Sequence, residues 1–180
     1  MFFSDFERTI NNNTIHPNDY ENSEIRAYLN GITYIGNNDG NPTDYHEMNT
    51  YKDKGIFQTA FSKQAQDLIL TSKISSTYSP DNYATTNTKV TNDKLFLLSS
   101  DEVRIYISKE EDRIRMATPY QAAHGLCIEG EGCSWGLRGI SSDTSETNYR
   151  KKCEFINKQG QIKATSPTSG FIIVPALCLY

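Results

Sequence analysis

The apolar residues of this chain come in short runs separated by long polar stretches, and the longest run covers only residues 171–179. Such a run is far shorter than the ~20 apolar residues that a membrane-spanning helix needs. Short runs restrict the chain to short helices and strands around a compact core, and its 180 residues suit one domain. We therefore expect a single domain over residues 1–180, with an irregular polar arm at residues 1–19 and no membrane insertion.

Two amphipathic segments predict the main helices. Residues 23–30 begin with an N-capping serine, carry apolar residues at helical spacing and precede Gly31, which suits a left-handed stop. Apolar residues also recur at helical spacing over residues 55–71, where we expect one continuous second helix. Two further short helices are predicted by capping boxes: Ser99 with Glu102, and Thr118 with Gln121.

The last third of the chain predicts antiparallel strands. Residues 153–156 and 161–164 flank a turn that ends at Gly160, which is a hairpin signal. Further strands are predicted at residues 94–98, 126–128, 134–137 and 171–179, and polar loops at residues 37–54 and 72–92. Helices followed by strands indicate an α+β fold, with two main helices packed on a small antiparallel sheet and long polar loops.

The charge of the chain argues against a nucleic-acid partner. The net charge is −4, and the one short basic run is Arg150-Lys151-Lys152. Nucleic-acid binding depends on a basic face that displaces counterions from phosphates. We therefore predict no nucleic-acid partner.

Five motifs, in order along residues 20–178, resemble those of an uncharacterised bacterial domain family. They read Tyr20-Glu-Asn-Ser-Glu-Ile-Arg-Ala-Tyr-Leu-Asn30, Phe96-Leu-Leu-Ser99, Ala117-Thr-Pro-Tyr120, Trp135-Gly-Leu-Arg138 and Val174-Pro-Ala-Leu177. The layout of that family is similar to C-type-lectin-like folds, a group that includes formylglycine-generating enzymes and hypervariable phage and bacterial receptors. The resemblance implies a binding domain of a secreted or surface protein, whose signal would be absent from this chain.

The chain departs from the family pattern at three places. Members usually have a strand hairpin before the first helix, and here that pair is expected to be missing or replaced. The arginine of the last motif is Val174, and a Trp-Trp doublet is Ser134-Trp135.

Four cysteines, all in the last third, leave the redox chemistry open. Cys127 and Cys133 lie across a Gly-Glu-Gly turn, where a disulfide or a redox pair could form, whereas buried free thiols are the simpler expectation for most of the four. His124 with three of these cysteines lacks the paired spacing of zinc sites. We predict no metal and no cofactor.

No catalytic motif is present, so we expect a binding module rather than an enzyme. The chain has neither a nucleophile elbow nor a phosphate-binding glycine loop, and its acidic clusters are typical of solvated faces. Tyrosines among Ser, Asn and Gly are typical of binding surfaces. Arg138 is expected to face away from a buried Trp135, either toward a ligand or as a structural ion-pair partner of a nearby Glu or Asp. The predicted ligand-binding residues, for a protein or glycan ligand, are Arg138, Tyr149, Asn148, Tyr83 and Tyr78.

The alternatives are a glycan hydrolase or a cysteine-dependent oxidase on the same scaffold, and a structural docking domain. An enzyme should show two or more carboxylates, or Cys127 and Cys133, opening into one deep pocket. A binding module should instead show a shallow patch of exposed tyrosines.

Overall fold

The computed structural model of the chain describes residues 8–10, 13–16, 18–34, 51–80, 85–125, 127–128, 130–141, 152–167 and 169–180. In this part of the chain, the elements in order are β1 (Arg8–Ile10), β2 (Asn13–Ile15), a 3-10 turn (Tyr20–Asn22), α1 (Glu24–Asn30), α2 (Ile56–Thr59), α3 (Lys63–Leu68), β3 (Ser72–Tyr78), β4 (Asn87–Asp93), α4 (Ser100–Tyr106), α5 (Glu110–Arg113), β5 (Arg115–Met116), α6 (Pro119–Ala123), β6 (Gly132–Cys133), β7 (Trp135–Ile140), β8 (Cys153–Ile156) and β9 (Ile162–Thr165). No helix among the described residues is both long enough and apolar enough to cross a membrane.

The predicted α+β class is confirmed, but the predicted single small sheet is wrong. The described strands form three two-stranded sheets, β1-β2, β3-β4 and β5-β6, and one three-stranded sheet in the order β7-β8-β9. All of these pairs are antiparallel. The hairpin of β8 and β9 forms as predicted, and Gly160 in its turn has a φ of 83°.

The first helix and both capping boxes are confirmed. The Ser23 hydroxyl accepts the Arg26 N–H at 3.2 Å, and Gly31 ends α1 in the left-handed conformation with a φ of 63°. The Ser99–Glu102 pair starts α4 and the Thr118–Gln121 pair starts α6, each with both reciprocal hydrogen bonds.

The prediction of one continuous helix over residues 55–71 is wrong. The stretch forms two short helices, because Ser62 starts a new one by accepting the Ala65 N–H with its hydroxyl at 3.3 Å. Ile69 is buried beyond the end of α3, whereas Leu68 is exposed. The helical spacing of apolar residues therefore does not mark one buried face here.

The predicted loop at residues 72–92 is a β-hairpin. Strands β3 and β4 pair in register from Ser72 opposite Asp93 to Tyr78 opposite Asn87. Side chains alternate between the two faces as a strand requires, but the buried ones are mostly polar: Ile74, Ser76, Thr91 and Asp93. The sequence does not predict these strands because their buried positions are mostly polar, so apolar and polar residues do not alternate along them.

The N-terminal arm is likewise not irregular throughout, since β1 and β2 form an antiparallel pair ahead of α1. The strand pair that was expected to be missing or replaced is therefore present. Its polar, Asn-rich sequence hides it, because a two-stranded ladder needs only backbone groups, which every residue except proline carries in full.

Three other predicted strands are wrong. Residues 94–98 form no strand: Leu95, Phe96 and Leu97 are buried in an irregular segment, in which Phe96 makes a single backbone bridge to Ala176. Cys127 and Ile128 lie outside any strand, and the partner of β6 is β5. Residues 171–179 make single backbone bridges instead of one strand, joining Ile172 to Trp135, Ala176 to Phe96 and Leu179 to Ile69.

The core consists of two clusters. One contains Tyr20, Ile25 and Leu29 from the first helical region with Ile74, residues 95–97 and Cys153. The other surrounds Trp135, which is fully buried as predicted, and contains Val103, Cys133, Leu137, Ile156 and Ile172. Leu98 packs against both clusters and so joins them.

Candidate functional site

A polar cleft of about 440 Å³ lies between β3, the start of α4, and strands β7 and β8. Five of its lining residues carry small hydroxyl side chains: Ser75, Ser76, Thr77, Ser99 and Ser100. Its charged lining residues are Asp101, Glu102, Arg138 and Glu154. We call this site the polar cleft.

Arg138 organises the polar cleft. Its guanidinium binds the Glu102 carboxylate in a two-pronged ion pair, with N–O distances of 2.5 and 2.6 Å. Nε donates to the Ser75 carbonyl at 3.0 Å, and Nη1 donates to the Leu97 carbonyl at 2.5 Å. Arg138 thereby ties β3, the buried segment before α4, and α4 itself to β7.

One donor of Arg138 is left over. These contacts use four of its five N–H groups, so one N–H on Nη2 has no partner among the described residues. Only 4 % of Arg138 is exposed. Because a buried donor is costly to leave unsatisfied, this N–H is suited to an acceptor atom of a ligand or water in the polar cleft.

Glu102 is held in place by two roles at once. Besides pairing with Arg138, Oε2 accepts the Ser99 N–H of the capping box at 2.9 Å. Burial alone would raise the pKa of this carboxyl, but the hydrogen bonds from Arg138 and Ser99 outweigh burial and lower it. Glu102 is therefore an ionised, fixed acceptor at neutral pH.

The backbone of β7 bends where it lines the polar cleft. Its register with β8 shifts between Gly136 and Ile140, which marks a bulge. Gly139 in that bulge has a φ of 113°, which disfavours any other residue. A Cβ atom at Gly139 would lie 3.8 Å from the Thr77 Oγ1, so the bulge brings β7 close to β3.

A family model described as a domain of unknown function, DUF6273, matches residues 3–180. The chain belongs to this family. Comparison with curated proteins and with solved structures gave no match. Membership of DUF6273 agrees with the expected uncharacterised domain family, and it assigns no ligand.

The structure describes two of the five predicted ligand-binding residues, Arg138 and Tyr78, and it places them apart. In this DUF6273 domain Arg138 lines the polar cleft, whereas Tyr78 does not. The Tyr78 ring stacks on His16 and lies under the Lys89 ammonium, whose Nζ is 4.8 Å from the ring centroid. Tyr83, Asn148 and Tyr149 lie outside the described residues.

Lys89 belongs to a second polar group, beside the 3-10 turn. Its ammonium pairs with Asp19 at 2.7 Å and with Glu21 at 2.9 Å. Burial alone would lower the pKa of Lys89, but the hydrogen bonds to these two carboxylates outweigh burial and raise it. Tyr78 therefore packs within an ion-paired group that connects β3 and β4 to the 3-10 turn.

The sequence predicts residues 72–92 as a ligand-contacting loop but does not single out Ser75, Ser76 or Thr77. It identifies Glu102 only as a capping residue. The available signal was that an arginine expected on a buried strand needs a carboxylate partner, and Glu102 begins the neighbouring helix.

The cysteines divide into a disulfide and two free thiols. Cys127 and Cys133 form a disulfide with a Cα–Cα distance of 5.8 Å. Cys153 is buried and Cys178 is exposed, and both are free. Burial raises the pKa of the Cys153 thiol, and so does the charge of Glu154. Within the described ranges, no group of three or more His, Cys, Asp and Glu side chains is placed to hold a metal ion.

Proposed function

We propose that this domain is a non-enzymatic recognition module of a bacterial or phage surface or secreted protein, and that its polar cleft binds a glycan. The observation that carries the proposal is the set of hydroxyl side chains arranged around the Arg138–Glu102 pair. The finer fold assignment, a C-type-lectin-like arrangement, belongs to the same proposal and is supported by the motif resemblance and the small antiparallel sheets.

The chemistry of the polar cleft matches that of sugars. A sugar hydroxyl both donates and accepts, and so do the hydroxyls of Ser75, Thr77 and Ser100. Small side chains lose little rotamer freedom when a ligand orders them. Glu102 offers a fixed acceptor, and the remaining Nη2 N–H of Arg138 offers a fixed donor.

Pre-organisation also supports binding at this place. Arg138 and Glu102 hold each other and the surrounding backbone before any ligand arrives. Groups already fixed in their binding geometry add affinity because less freedom is lost on association. The polar cleft therefore resembles a pre-organised ligand site more than a solvent-filled surface depression.

A glycan array followed by calorimetry tests the proposal. We expect wild-type protein to bind a restricted set of glycans, and the double variant Ser75→Ala/Thr77→Ala to bind them at least tenfold more weakly. Each lost hydrogen bond contributes about 1 kcal/mol, and about 1.4 kcal/mol is tenfold in affinity. Both side chains are exposed, so folding should be unaffected.

Thr88→Ala is the matched control, since Thr88 is exposed on the same hairpin but does not line the polar cleft. It should bind like wild type. The absence of any bound glycan, or equal binding by the double variant, would refute the proposal. Capture of a protein partner without glycan binding would favour the docking domain instead.

A glycan hydrolase is the second candidate, because the cleft holds the two or more carboxylates expected of an enzyme, Asp101, Glu102 and Glu154, and none of its described lining residues is a tyrosine. Hydrolysis needs one carboxyl to act as a general acid, which requires a raised pKa. The lowered pKa of Glu102 does not suit that role, so Glu154 would have to take it. We favour binding because Glu102, the other carboxyl that hydrolysis would need, is already engaged by Arg138 and Ser99. Release of reducing ends by wild type but not by Glu154→Gln would establish the hydrolase. The oxidase alternative lacks such support, since Cys127 and Cys133 do not line the cleft.

A further inference from the structure

Between β5 and β6, the described residues 118–125, 127–128 and 130–131 form a lobe, which we call the 118–131 lobe. It contains α6, a helix of five residues with no buried side chain. Tyr120 is 69 % exposed and Ile128 is 60 % exposed. None of the described residues of this lobe is fully buried, so the lobe gains little stability from the hydrophobic core.

Among the described residues, few noncovalent contacts hold the 118–131 lobe. At its base, β5 pairs with β6 over two residue pairs, and the Ala117 N–H donates to the Glu131 carbonyl at 3.1 Å. Lys158 and Glu131 form an ion pair in which both side chains are about half exposed, and such a pair adds little stability. A five-residue helix is also too short to be stable by itself.

The lobe is also tied to the core at Cys127. Cys133 is 1 % exposed and belongs to the Trp135 cluster; its disulfide partner Cys127 lies within the lobe, is partly buried and packs against the same cluster. The disulfide thus joins an exposed lobe to a buried residue of the core.

We propose that the Cys127–Cys133 disulfide is a redox latch that keeps the 118–131 lobe ordered, and that a dithiol reductant opens it without unfolding the domain. Disulfides persist in oxidising compartments and are reduced in the cytosol. The latch would therefore be closed on an exported protein and open before export, and it would set whether Tyr120 and Ile128 occupy fixed positions.

The exchange has a preferred direction. A thiolate of the dithiol attacks the more accessible sulfur, Cys127 Sγ, the S–S bond breaks, and Cys133 leaves as a thiolate that takes up a proton. The second thiol of the reductant then attacks its own sulfur in the mixed disulfide and releases Cys127 as a thiol. Two electrons and two protons have moved to the protein, and the dithiol has become a disulfide.

Hydrogen exchange read by mass spectrometry, with and without dithiothreitol, tests the latch. On reduction of the full chain we expect amide exchange in peptides covering residues 118–131 to rise at least tenfold, with exchange in β7–β9 unchanged. The Cys178→Ser variant serves as the background, since it removes the exposed free thiol. Chymotrypsin should then cut after Tyr120 only in the reduced protein.

Two single variants test the direction. In Cys133→Ser, the remaining Cys127 should react with iodoacetamide at least tenfold faster than the remaining Cys133 does in Cys127→Ser. Four results would overturn the proposal. The first three are a native disulfide that millimolar dithiothreitol does not reduce, unchanged amide exchange in the lobe after reduction, and loss of the whole fold on reduction. The fourth is faster labelling of Cys133 than of Cys127.

Discussion

Arg138 shows how one side chain can position several elements at once. Its guanidinium pairs with the Glu102 carboxylate on α4 and donates hydrogen bonds to the backbone carbonyls of Ser75 and Leu97. Most of these partners are polar backbone or carboxylate groups that would otherwise need water. Removing one member of such a group leaves the others buried and unsatisfied, which costs more than the net strength of the lost bond.

Glu102→Gln should therefore destabilise the protein by about 3 kcal/mol at neutral pH, the lower end for a broken buried pair, because 27 % of the Glu102 side chain is exposed. Glutamine still completes a capping box, so the variant isolates the charge. Urea unfolding followed by the fluorescence of Trp135, the single tryptophan, measures the loss. Asp101→Asn, which removes an exposed carboxylate next to Glu102, should change stability by less than about 0.5 kcal/mol.

The same pair of proteins makes a pH prediction. The pKa of Glu102 is lowered from its ordinary value of 4.5, so the unfolded state takes up the proton first. Its stabilisation is fully present above about pH 4.5 and is lost as pH falls through the lower pKa of the folded state. The stability gap between wild type and Glu102→Gln should accordingly shrink at pH 3, and a gap that stays constant would contradict the prediction.

Two glycines should respond oppositely to alanine. A Cβ at Gly136 would make ordinary contact with Phe171 at 3.8 Å, in a part of β7 with no positive φ, so Gly136→Ala should stabilise by about 0.5 kcal/mol. A Cβ at Gly160 would lie 1.9 Å from the Glu110 carbonyl oxygen, at a φ of 83°. Gly160→Ala should therefore destabilise by about 2 kcal/mol or more, and thermal melts giving the same sign for both variants would disprove this account.

At the scale of elements, the sequence was informative where local rules decide the structure. The caps of α1, α4 and α6 and the turn at Gly160 depend on neighbours three or four residues away, and all were predicted. The β3–β4 hairpin was not, because its buried positions hold Ser76, Thr91 and Asp93. The buried charge of Asp93 is paired by Arg26, which lies 67 positions away in the chain, and no local pattern shows that.

The polar cleft follows the same division. Arg138 was selected from its place after Trp135, while Ser75, Ser100 and Glu154 come from three separate parts of the chain. Their convergence is a tertiary result, set by the bulge in β7 and by the Arg138 contacts. Sequence reasoning could supply the arginine and the capping glutamate, but not the fact that they meet.

Thr91→Val tests the polar interior of the hairpin. The Thr91 hydroxyl donates to Asp93 Oδ2 at 2.6 Å and is buried, so the isosteric valine should cost about 1 kcal/mol by leaving that carboxylate with one partner fewer. Thr88→Val, an exposed change on the same strand, should be neutral or slightly stabilising. Equal effects of the two variants in urea unfolding would show that the Thr91 bond adds nothing.

For the whole molecule, residues 171–180 matter more than their irregular backbone suggests. They bridge to Trp135, Phe96 and Ile69 in turn, so a single extended segment crosses both core clusters. Leu98 also packs against both clusters. Because the two clusters are connected in this way, we expect titration of a buried group in either one to change the free energy of unfolding of the whole domain.

Cys153 is such a group, and it should set the alkaline limit of stability. Burial raises its pKa above the ordinary 9.0, and burial likewise raises the pKa of Tyr20 and Tyr51 above 10.0. Above each ordinary value the unfolded state loses a proton that the folded state keeps, so stability falls as pH rises.

The free energy of unfolding of wild type should begin to fall near pH 9. Cys153→Ala is less stable at pH 7 because it loses packing, but its free energy of unfolding should stay constant to about pH 10. Rapid-mixing urea unfolding avoids thiol–disulfide exchange at these pH values. Cys178→Ala, at the exposed thiol, should leave the onset unchanged, and an onset that Cys153→Ala also leaves unchanged would mean that this thiol already ionises in the folded protein.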